Sequence, residues 1–346
     1  MVIKEFKIDP LDKENGLQVK SYIDTLTKPP GSLGKLEQLA IQLGEITSQQ
    51  FPSVTPPGVI VFAADHGIAA EGVSAFPQEV TAQMVTNFLN GGAAINVFSK
   101  QIGAQFKIVD VGVATEIDGE HLIKEKIRYG TANFLIEDAM TRDEALRAVE
   151  VGYEVSEKLI KDGIKCLIVG EMGIGNTTPS STIVSLVSGR DVESVVGFGT
   201  GITQENILHK QQVIKKAIEV RSPNAEDPFD ILAKVGGLEI AAMAGAMLAA
   251  ASNRIPILVD GFICTAAALI AKLINNVVSE YMIIGHRSVE PGHRIAIDLL
   301  GKEPLLDLNL RLGEGSGAAI AFPLLLSSTL MISEMSTFTS AKISSE

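Results

Sequence analysis

Apolar residues recur along the chain at two different spacings. Residues 33–48 and 144–160 repeat them every three or four positions, which is typical of amphipathic helices. Between such stretches lie short, continuous apolar runs bounded by glycine, which predict buried strands. These runs are near residues 59–64, 106–111, 165–169, 194–198, 255–259 and 281–284. The alternation of strands and helices predicts an α/β fold with a mostly parallel sheet and flanking helices.

The segments that follow the predicted strands are rich in glycine and polar side chains. They are residues 64–72, 110–115, 170–180, 197–203, 260–266 and 285–294, and a seventh segment, 311–319, precedes the last apolar helix. Ligands of open α/β sheets bind outside the carboxyl ends of the strands. Loops of this kind at one edge therefore predict a broad site for a polar, phosphorylated ligand.

Residues 170–180 follow a strand and open a helix. The backbone N–H groups and the hydroxyls of Thr177 and Thr178 suit an anion at the positive end of that helix. A helix capped by Asn176 or Thr177 explains the same pattern without a ligand. Lys210, in the helical stretch further on, is an additional candidate for binding phosphate, although a lone lysine on a helix usually faces solvent.

Two further segments contain histidine. Asp65 and His66 at a strand end suit a metal or a proton transfer, but the spacing lacks a second ligand, and structural hydrogen bonds are favoured. Residues 285–294 hold two histidines, two arginines and a serine, which suit a phosphate or carboxylate ligand, or an exposed interface loop. These residues are His286, Arg287, Ser288, His293 and Arg294.

Glu314 lies between two glycines in a segment otherwise nearly free of carboxylates. Apolar walls around such a carboxylate raise its pKa and make it a plausible general base. Acidic residues also favour helix N-termini, so Glu314 as a cap of the following helix is the alternative. Spacing alone leaves both interpretations open.

Composition and charge narrow the class of protein. The 346 residues are 46% hydrophobic and 20% charged, which indicates a globular chain of one large or two modest domains. Lys and Arg number 29 against 41 Asp and Glu, and the net charge of −12 opposes binding to nucleic acid or anionic lipid. The two cysteines show no zinc or disulfide pattern.

No segment predicts export or insertion into a membrane. The N-terminus interleaves charge with apolar residues, unlike a signal peptide. Residues 231–251 and 255–274 are apolar enough to resemble membrane spans, but charged residues interrupt both, so we expect buried helices and a strand. These residues are Lys234, Glu239, Asp260 and Lys272. The chain is therefore expected to be cytoplasmic, without membrane or nucleic-acid partners.

Six segments carry a resemblance that spans about residues 20–330 in one order. They are KPPGSLGKLE (28–37), ADHGIAAEGVSAFPQEVTAQM (64–84), GEMGIGNTTP (170–179), KVGGLEIAAMAGAMLAAA (234–251), LVDGF (258–262) and RLGEGSGAA (311–319). Together they resemble the nicotinate-nucleotide:dimethylbenzimidazole phosphoribosyltransferases of cobalamin lower-ligand biosynthesis. The resemblance implies that an aromatic base attacks the anomeric carbon of nicotinate mononucleotide, inverts it and expels nicotinate. No cofactor or metal is expected, because the cationic ring nitrogen of nicotinate leaves readily.

The resemblance also implies an architecture. A large Rossmann-like α/β domain is expected over residues 50–310, with a small helical domain built from residues 1–49 and 311–346. A homodimer with sites near its interface is implied, and a heterodimer with a similar chain is the alternative, because phenol-using relatives are heteromers. A phenol- or cresol-activating subunit and a non-catalytic nucleotide-binding protein are therefore the alternative functions.

The resemblance assigns roles to residues of the strand-end loops. Glu314 matches the general base. Positions that line the nucleotide and phosphate site are matched by Glu171, Gly173, Gly199, Lys210 and Ser288, the last donated by a partner subunit. The glycine-rich loops at residues 170–180 and 197–203 add Gly175, Asn176, Thr177 and Gly201 to this site. The pocket for the acceptor base is expected at Phe76, Met84, Met172 and Leu312.

Overall fold

Seven strands form one parallel sheet in the computed structural model, which describes residues 6–197 and 204–344. The strands are β1 (Pro57–Ala64), β2 (Gln105–Gly112), β3 (Leu122–Lys124), β4 (Cys166–Met172), β5 (Ile257–Val259), β6 (Met282–Ser288) and β7 (Pro304–Leu310). Their spatial order is β3-β2-β1-β4-β5-β6-β7, and every neighbouring pair is parallel. The predicted α/β fold with a parallel sheet is confirmed.

Helices cover both faces of this sheet. They are α1 (Lys13–Ile23), α2 (Lys35–Thr47), α3 (Val80–Leu89), α4 (Ala94–Gln101), α5 (Arg142–Lys161), α6 (Thr177–Ser188), α7 (Val192–Val195), α8 (Gln204–Arg221), α9 (Pro228–Val235), α10 (Leu238–Ser252), α11 (Phe262–Ile274), α12 (Pro291–Leu300), α13 (Ser316–Glu334) and α14 (Phe338–Ala341). Alternate residues of β1 point to opposite faces, as in any strand. Ile60 and Phe62 pack towards α5 and α10, whereas Val59 and Val61 pack towards α2 and α13. The two apolar layers explain why the strands are apolar at every position.

The two helices predicted from periodicity are present as α2 and α5. In α5 the hydroxyl of Thr141 accepts from the backbone N–H of Glu144, and the Glu144 carboxylate accepts from the N–H of Thr141 at 2.7 Å. This reciprocal capping fixes where the helix begins. Residues 231–251 and 255–274 are the buried elements α9, α10, β5 and α11, as expected.

The apolar run near residues 194–198 was predicted to be a strand, and that prediction is wrong in its described part. Val192–Val195 form the short helix α7, and residues 196–197 have no regular structure. Strand β4 pairs directly with β5, so the sheet has no place for a strand between them. Val192 and Val196 are buried against α8 instead. Buried valines suit a strand or a small helical cluster equally, and the sequence pattern does not separate the two.

Strands β3 and β7 were not predicted. They lie at the two edges of the sheet. Strand β3 has only three residues, and strand β7 is partly exposed. Edge strands lack the continuous apolar run by which the central strands are recognised.

Helices from both ends of the chain pack together beside the sheet. Val19 and Ile23 of α1 form a separate apolar cluster with Ala40 of α2 and with Met331 and Ile332 of α13. The division into domains at residues 50–310, 1–49 and 311–346 stays a prediction.

Helix α13 is long and apolar enough to cross a membrane. However, 61% of its apolar window is buried inside the fold, where α13 packs on the sheet through Ala318 and Phe322. Buried core helices have the same length and composition, so this helix is only weak evidence for a membrane span.

Candidate active site

A cleft of about 370 Å³ lies outside the carboxyl ends of β4, β5 and β6. The chain reverses its direction of travel through the sheet between β1 and β4, and open α/β sheets bind ligands beside such a switch point. Five segments supply the walls: residues 74–84, 171–177, 260–264, 286–290 and 311–314. The cleft therefore joins loops that the sequence analysis expected at one edge.

Residues 171–177, the glycine wall, form one side of the cleft. Gly175 has a φ of +91°, which allows the turn that leads into α6. Asn176 begins that helix, but its side-chain amide donates to Oε2 of Glu171 and does not cap the helix. The capping alternative for Asn176 is therefore wrong.

Lys210 reaches the glycine wall from α8. Its Nζ donates to Oγ1 of Thr177 at 2.6 Å, and the side chain is buried. Burial lowers the pKa of Lys210 to about 8, which the carboxylate of Glu290 partly opposes. A lysine with that position beside the first turn of a helix suits an anionic group, whose charge would restore the ordinary pKa.

Four side chains predicted for the acceptor also line the cleft: Phe76, Met84, Leu312 and Met172, the last of which belongs to the glycine wall as well. We call these four residues the apolar wall. Met84 and Met172 are partly buried, whereas Phe76 is 50% exposed and Leu312 is 60% exposed. Such a surface suits a flat aromatic ring, and methionine adapts to its outline.

Glu314 lies on a sharply turned loop. Gly313, Glu314 and Gly315 all have positive φ values, of 91°, 66° and 90°. A Cβ atom at Gly170 would lie 2.0 Å from the carbonyl oxygen of Glu314, and one at Gly313 would lie 2.3 Å from Oε1 of Glu171. The glycines therefore let the 313–315 loop lie directly against the end of β4.

The Glu314 side chain is buried at 6% exposure and lines the cleft. Its Oε2 accepts from the backbone N–H of Ile95 at 3.4 Å, and among the described residues Oε1 has no hydrogen-bond partner. Burial raises the pKa of Glu314 above its ordinary value, the N–H of Ile95 opposes this, and the charge of Asp260 adds to it. A carboxylate with a raised pKa and an unengaged oxygen can accept a proton from a ligand in the cleft.

Glu171 faces Glu314 from the glycine wall. Its Oε1 accepts from the backbone N–H of Glu314 at 3.4 Å, and its Oε2 accepts from Asn176. Burial raises the pKa of Glu171 to about 8, although the amide of Asn176 opposes this. Both oxygens of this carboxyl group are therefore used inside the protein.

Comparisons with known proteins agree with this geometry. A family model described as "Phosphoribosyltransferase" matches residues 8–343. A protein from Halalkalibacterium halodurans called nicotinate-nucleotide--dimethylbenzimidazole phosphoribosyltransferase is 52% identical over 97% of this chain and 94% of its own length. One of the same name from Chloroflexus aggregans is 49% identical over 97% of this chain and 96% of its own. The chain belongs to this phosphoribosyltransferase family.

A solved structure gives the same result for the fold. The crystal structure of CobT from Thermus thermophilus is 43% identical and superposes with a TM-score of 0.93. The match covers 96% of this chain and all of that one. The resemblance carried by the sequence motifs is thus confirmed at the level of the family.

Several predicted nucleotide-site residues of this phosphoribosyltransferase lie together in the cleft. Gly173 and Thr177 belong to the glycine wall, and Ser288 lines the cleft at the end of β6 in its own chain. The contribution of Ser288 to a partner's site stays a prediction. Gly199 and Gly201 lie outside the described residues.

The polar cluster at residues 285–294 divides between two environments. His286 and Ser288 line the cleft, and His293 is buried behind them, where its Nδ1 accepts from the backbone N–H of Ser288 at 2.8 Å. Arg287 and Arg294 are exposed, and Arg287 pairs with Asp307 at the surface. The arginines therefore do not converge on the cleft with the histidines.

Asp65 and His66 have structural hydrogen bonds, as the sequence analysis favoured. Oδ2 of Asp65 accepts from the backbone N–H of Ala114 at 2.8 Å. Nε2 of His66 pairs with Oε1 of Glu239 at 2.7 Å, and both side chains are fully buried. A buried histidine with a carboxylate partner holds segments of the core together.

The sequence analysis named Asp260 only as a charge that interrupts an apolar run and did not select it as a site residue. It follows β5, is fully buried, and lines the cleft beside Glu314. Its oxygens accept from the N–H groups of Gly315 at 3.2 Å and Ala318 at 2.9 Å, the first turn of α13. Asp260 thus caps the helix that Glu314 was alternatively expected to cap. The available signal was an aspartate directly after an apolar strand.

Proposed function

We propose that this chain transfers the ribose phosphate of nicotinate mononucleotide to an aromatic lower base. The products are an α-ribotide phosphate for cobamide assembly and free nicotinate. The observation that carries the proposal is Glu314, which is buried at the cleft that both walls line and whose Oε1 has no hydrogen-bond partner among the described residues. Family membership supports the same reaction, because the relatives described above are named for it.

The glycine wall and Lys210 supply a grip for the nucleotide phosphate. The start of α6 is the positive end of that helix, and the buried Lys210 ammonium lies behind it, bonded to Thr177, which lines the cleft. A phosphate held there fixes the ribose relative to the apolar wall, and such positioning lowers the barrier by making the reaction effectively unimolecular.

Bond breaking at the sugar needs little help from the protein. The ring nitrogen of bound nicotinate carries a positive charge, and the electrons of the C1′–N bond neutralise it as that bond breaks. The departing nicotinate therefore requires no proton. This leaves proton removal from the acceptor as the step for which a side chain is needed.

Glu314 supplies that base in our proposal. In a benzimidazole, one ring nitrogen forms the new bond to C1′ and the N–H on the other ring nitrogen loses its proton to the Glu314 carboxylate. In a phenol, the hydroxyl oxygen attacks and its own proton is transferred. Burial shifts the pKa of Glu314 upwards, towards neutral pH. A general base is most effective when its pKa is near the pH at which it works.

The acceptor is an aromatic base, with 5,6-dimethylbenzimidazole or a related base as the main candidate. Side chains of the apolar wall make no directional polar contact, so shape and the proton given to Glu314 select the acceptor. A phenol- or cresol-activating subunit of the same family is the second candidate, because a phenol needs only one polar partner.

The functional unit in our proposal is a cytoplasmic dimer, of two identical chains or of two similar ones. Its support is three exposed apolar side chains in β7 or just beyond the ends of β6 and β7: Val289, Leu308 and Leu312 are 47%, 49% and 60% exposed. Exposed apolar groups of this kind mark protein interfaces when they lie together. Sedimentation of the active protein at working concentration is the test, and a fully active monomer contradicts the dimer.

The reaction is tested by incubating the protein with nicotinate mononucleotide and a panel of benzimidazoles, purines and phenols. We expect one nicotinate released for each ribotide identified by mass, and no release without an acceptor. Nucleotide binding without nicotinate release by any acceptor supports the non-catalytic alternative. Nicotinate release without an acceptor indicates a hydrolase and contradicts the proposal.

A further inference from the structure

Asp260 joins three elements at the base of the cleft. Its Oδ1 accepts from the N–H of Ala318 at 2.9 Å and lies 3.2 Å from Nε2 of His286, and its Oδ2 accepts from the N–H of Gly315 at 3.2 Å. The carboxylate is fully buried, and these partners together with the positive end of α13 compensate its charge. One side chain thus ties β5 to β6 and to the start of α13.

His286 holds this carboxylate from the opposite side. The imidazole is 3% exposed, and a Cβ atom at Gly317 would lie 2.0 Å from its Cδ2 atom. The ring is therefore seated against the backbone of α13, where only glycine leaves room for it. Burial lowers the pKa of His286, but the hydrogen bond and charge of Asp260 outweigh this and raise it above its ordinary value.

The contact of Asp260 with Gly315 falls next to Glu314 in the chain. The N–H of Glu314 bonds to Glu171, and the N–H of Gly315 bonds to Asp260, so two carboxyl groups hold consecutive peptide units. Glu314 itself has a φ of +66°, a conformation that is unfavourable for a residue with a side chain. Such strain persists only where the surroundings enforce it, and it clusters at functional positions.

We propose that Asp260, held in place by His286, is a positioning residue that fixes Glu314 in the orientation from which it takes the acceptor's proton. The inference rests on the proposed function. Without Asp260 the 313–315 loop loses one of the two hydrogen bonds that hold its consecutive peptide units. Glu314 is then free to leave its left-handed backbone conformation. Displacement of a reacting group by about 1 Å lowers a rate by about 10²-fold.

Asp260→Asn is the first test, because an amide keeps the shape but replaces one acceptor oxygen with a donor. We expect kcat to fall about 10- to 100-fold, while the dissociation constant of nicotinate mononucleotide stays within about threefold. The loss should be smaller with acidic phenols, which ionise without a well-placed base. A change confined to nucleotide affinity contradicts the proposal.

A double variant separates positioning from a general structural defect. If Asp260 acts through Glu314, then Asp260→Asn lowers kcat in the wild type but not further in Glu314→Gln, since groups that act as a unit are not additive. Equal losses in both backgrounds overturn the proposal. If Glu314→Gln is as active as the wild type, or if the wild type transfers no ribose phosphate, the proposed function fails instead.

His286 gives a second pair of variants, which remains informative if Asp260→Asn does not fold. His286→Gln keeps an N–H donor for Asp260, whereas His286→Leu removes it. We expect kcat to be higher in the glutamine variant than in the leucine variant by about fivefold or more, at similar thermal stability. Equal rates in the two contradict a role for the hydrogen bond.

The His66–Glu239 pair is the matched control. It is buried to a similar degree, and its contact of 2.7 Å is shorter than the 3.2 Å between Asp260 and His286, but no hydrogen bond joins it to the 313–315 loop among the described residues. We expect His66→Leu and His286→Leu to lower the melting temperature alike. Any loss of kcat in His66→Leu should multiply with that of Glu314→Gln. If His66→Leu instead shows the same non-additivity as Asp260→Asn, the effect is not specific to Asp260 and the proposal is overturned.

Discussion

Glu171 and Glu314 are both buried and both line the cleft, but their surroundings differ. Glu171 belongs to the glycine wall, and both its oxygens accept hydrogen bonds from the protein. Glu314 belongs to the opposite loop, and among the described residues only its Oε2 is engaged, by a long contact of 3.4 Å. The two glutamates thus differ in how many of their carboxyl oxygens are bonded to the protein, two in Glu171 and one in Glu314 among the described residues.

The pKa values follow the same division. Burial raises the pKa of Glu171 to about 8. Glu314 also has a raised pKa, but it retains an oxygen that can reach a ligand. Burial alone therefore does not make a general base, because the carboxylate also needs an oxygen that no protein group occupies.

The largest expected effect is that of Glu314→Gln. Glutamine keeps the shape and the contact with Ile95 but cannot accept a proton, and loss of a general base costs about 10²–10⁴-fold in turnover. We expect this drop in nicotinate release with benzimidazoles at unchanged nucleotide affinity. Glu171→Gln, the matched variant on the other wall, should lose less. A greater loss in Glu171→Gln reverses the assignment of the two glutamates.

Gly313→Ala tests the contact between the two glutamates. A Cβ atom at Gly313 would lie 2.3 Å from Oε1 of Glu171, and the φ of +91° is itself unfavourable for alanine. We expect turnover to fall about 10- to 100-fold as the loop shifts. Gly31→Ala is the control, since Gly31 has a φ of +76° but no atom within 4 Å of the added carbon. Equal activity of the two variants contradicts the close approach of the loop to Glu171.

Lys210→Ala tests the nucleotide side of the cleft. Loss of a hydrogen bond to a charged group costs about 1.5–3 kcal/mol, which corresponds to an affinity about 10- to 150-fold weaker for nicotinate mononucleotide. The order in which acceptors are preferred should not change. Calorimetry of nucleotide binding measures the effect, and an unchanged affinity removes Lys210 from the site.

The last effect concerns the stability of the folded state and not turnover. Glu171 has a pKa of about 8 in the fold and an ordinary value of 4.5, so the folded chain holds a proton that the unfolded chain releases. Its contribution to the free energy of unfolding therefore falls as the pH rises from 4.5 to about 8. The change is at most about 1.4 kcal/mol for each pH unit. We expect the free energy of unfolding of the wild type, measured in urea, to fall relative to that of Glu171→Gln as the pH rises over this range. A constant difference between the two proteins contradicts the raised pKa.

The sequence predicted the main parts of the site because those parts are local. The alternation of strands and helices located the edge of the sheet. The glycines around Glu314 marked it as a candidate, and the resemblance to the family assigned Glu314 and the methionines of the apolar wall their expected roles. Contacts between distant segments were not predictable in this way. The pair of Asp260 and His286 forms only when β5 and β6 lie side by side. The bond from Asn176 to Glu171 is local, but it depends on the turn at Gly175. The prediction of a strand near residues 194–198 was wrong for a related reason, because the valines of this run pack against α8, which lies further along the chain.

The central claim is that Glu314, and not Glu171, removes the acceptor's proton. The most direct measurement is kcat/KM against pH for the wild type, Glu314→Gln and Glu171→Gln with one acceptor, because titrations of the substrates are common to all three. We predict that activity in the wild type falls as the pH is lowered through the raised pKa of Glu314, that Glu171→Gln keeps this fall, and that Glu314→Gln loses it. If the fall persists in Glu314→Gln and disappears in Glu171→Gln, the account is contradicted.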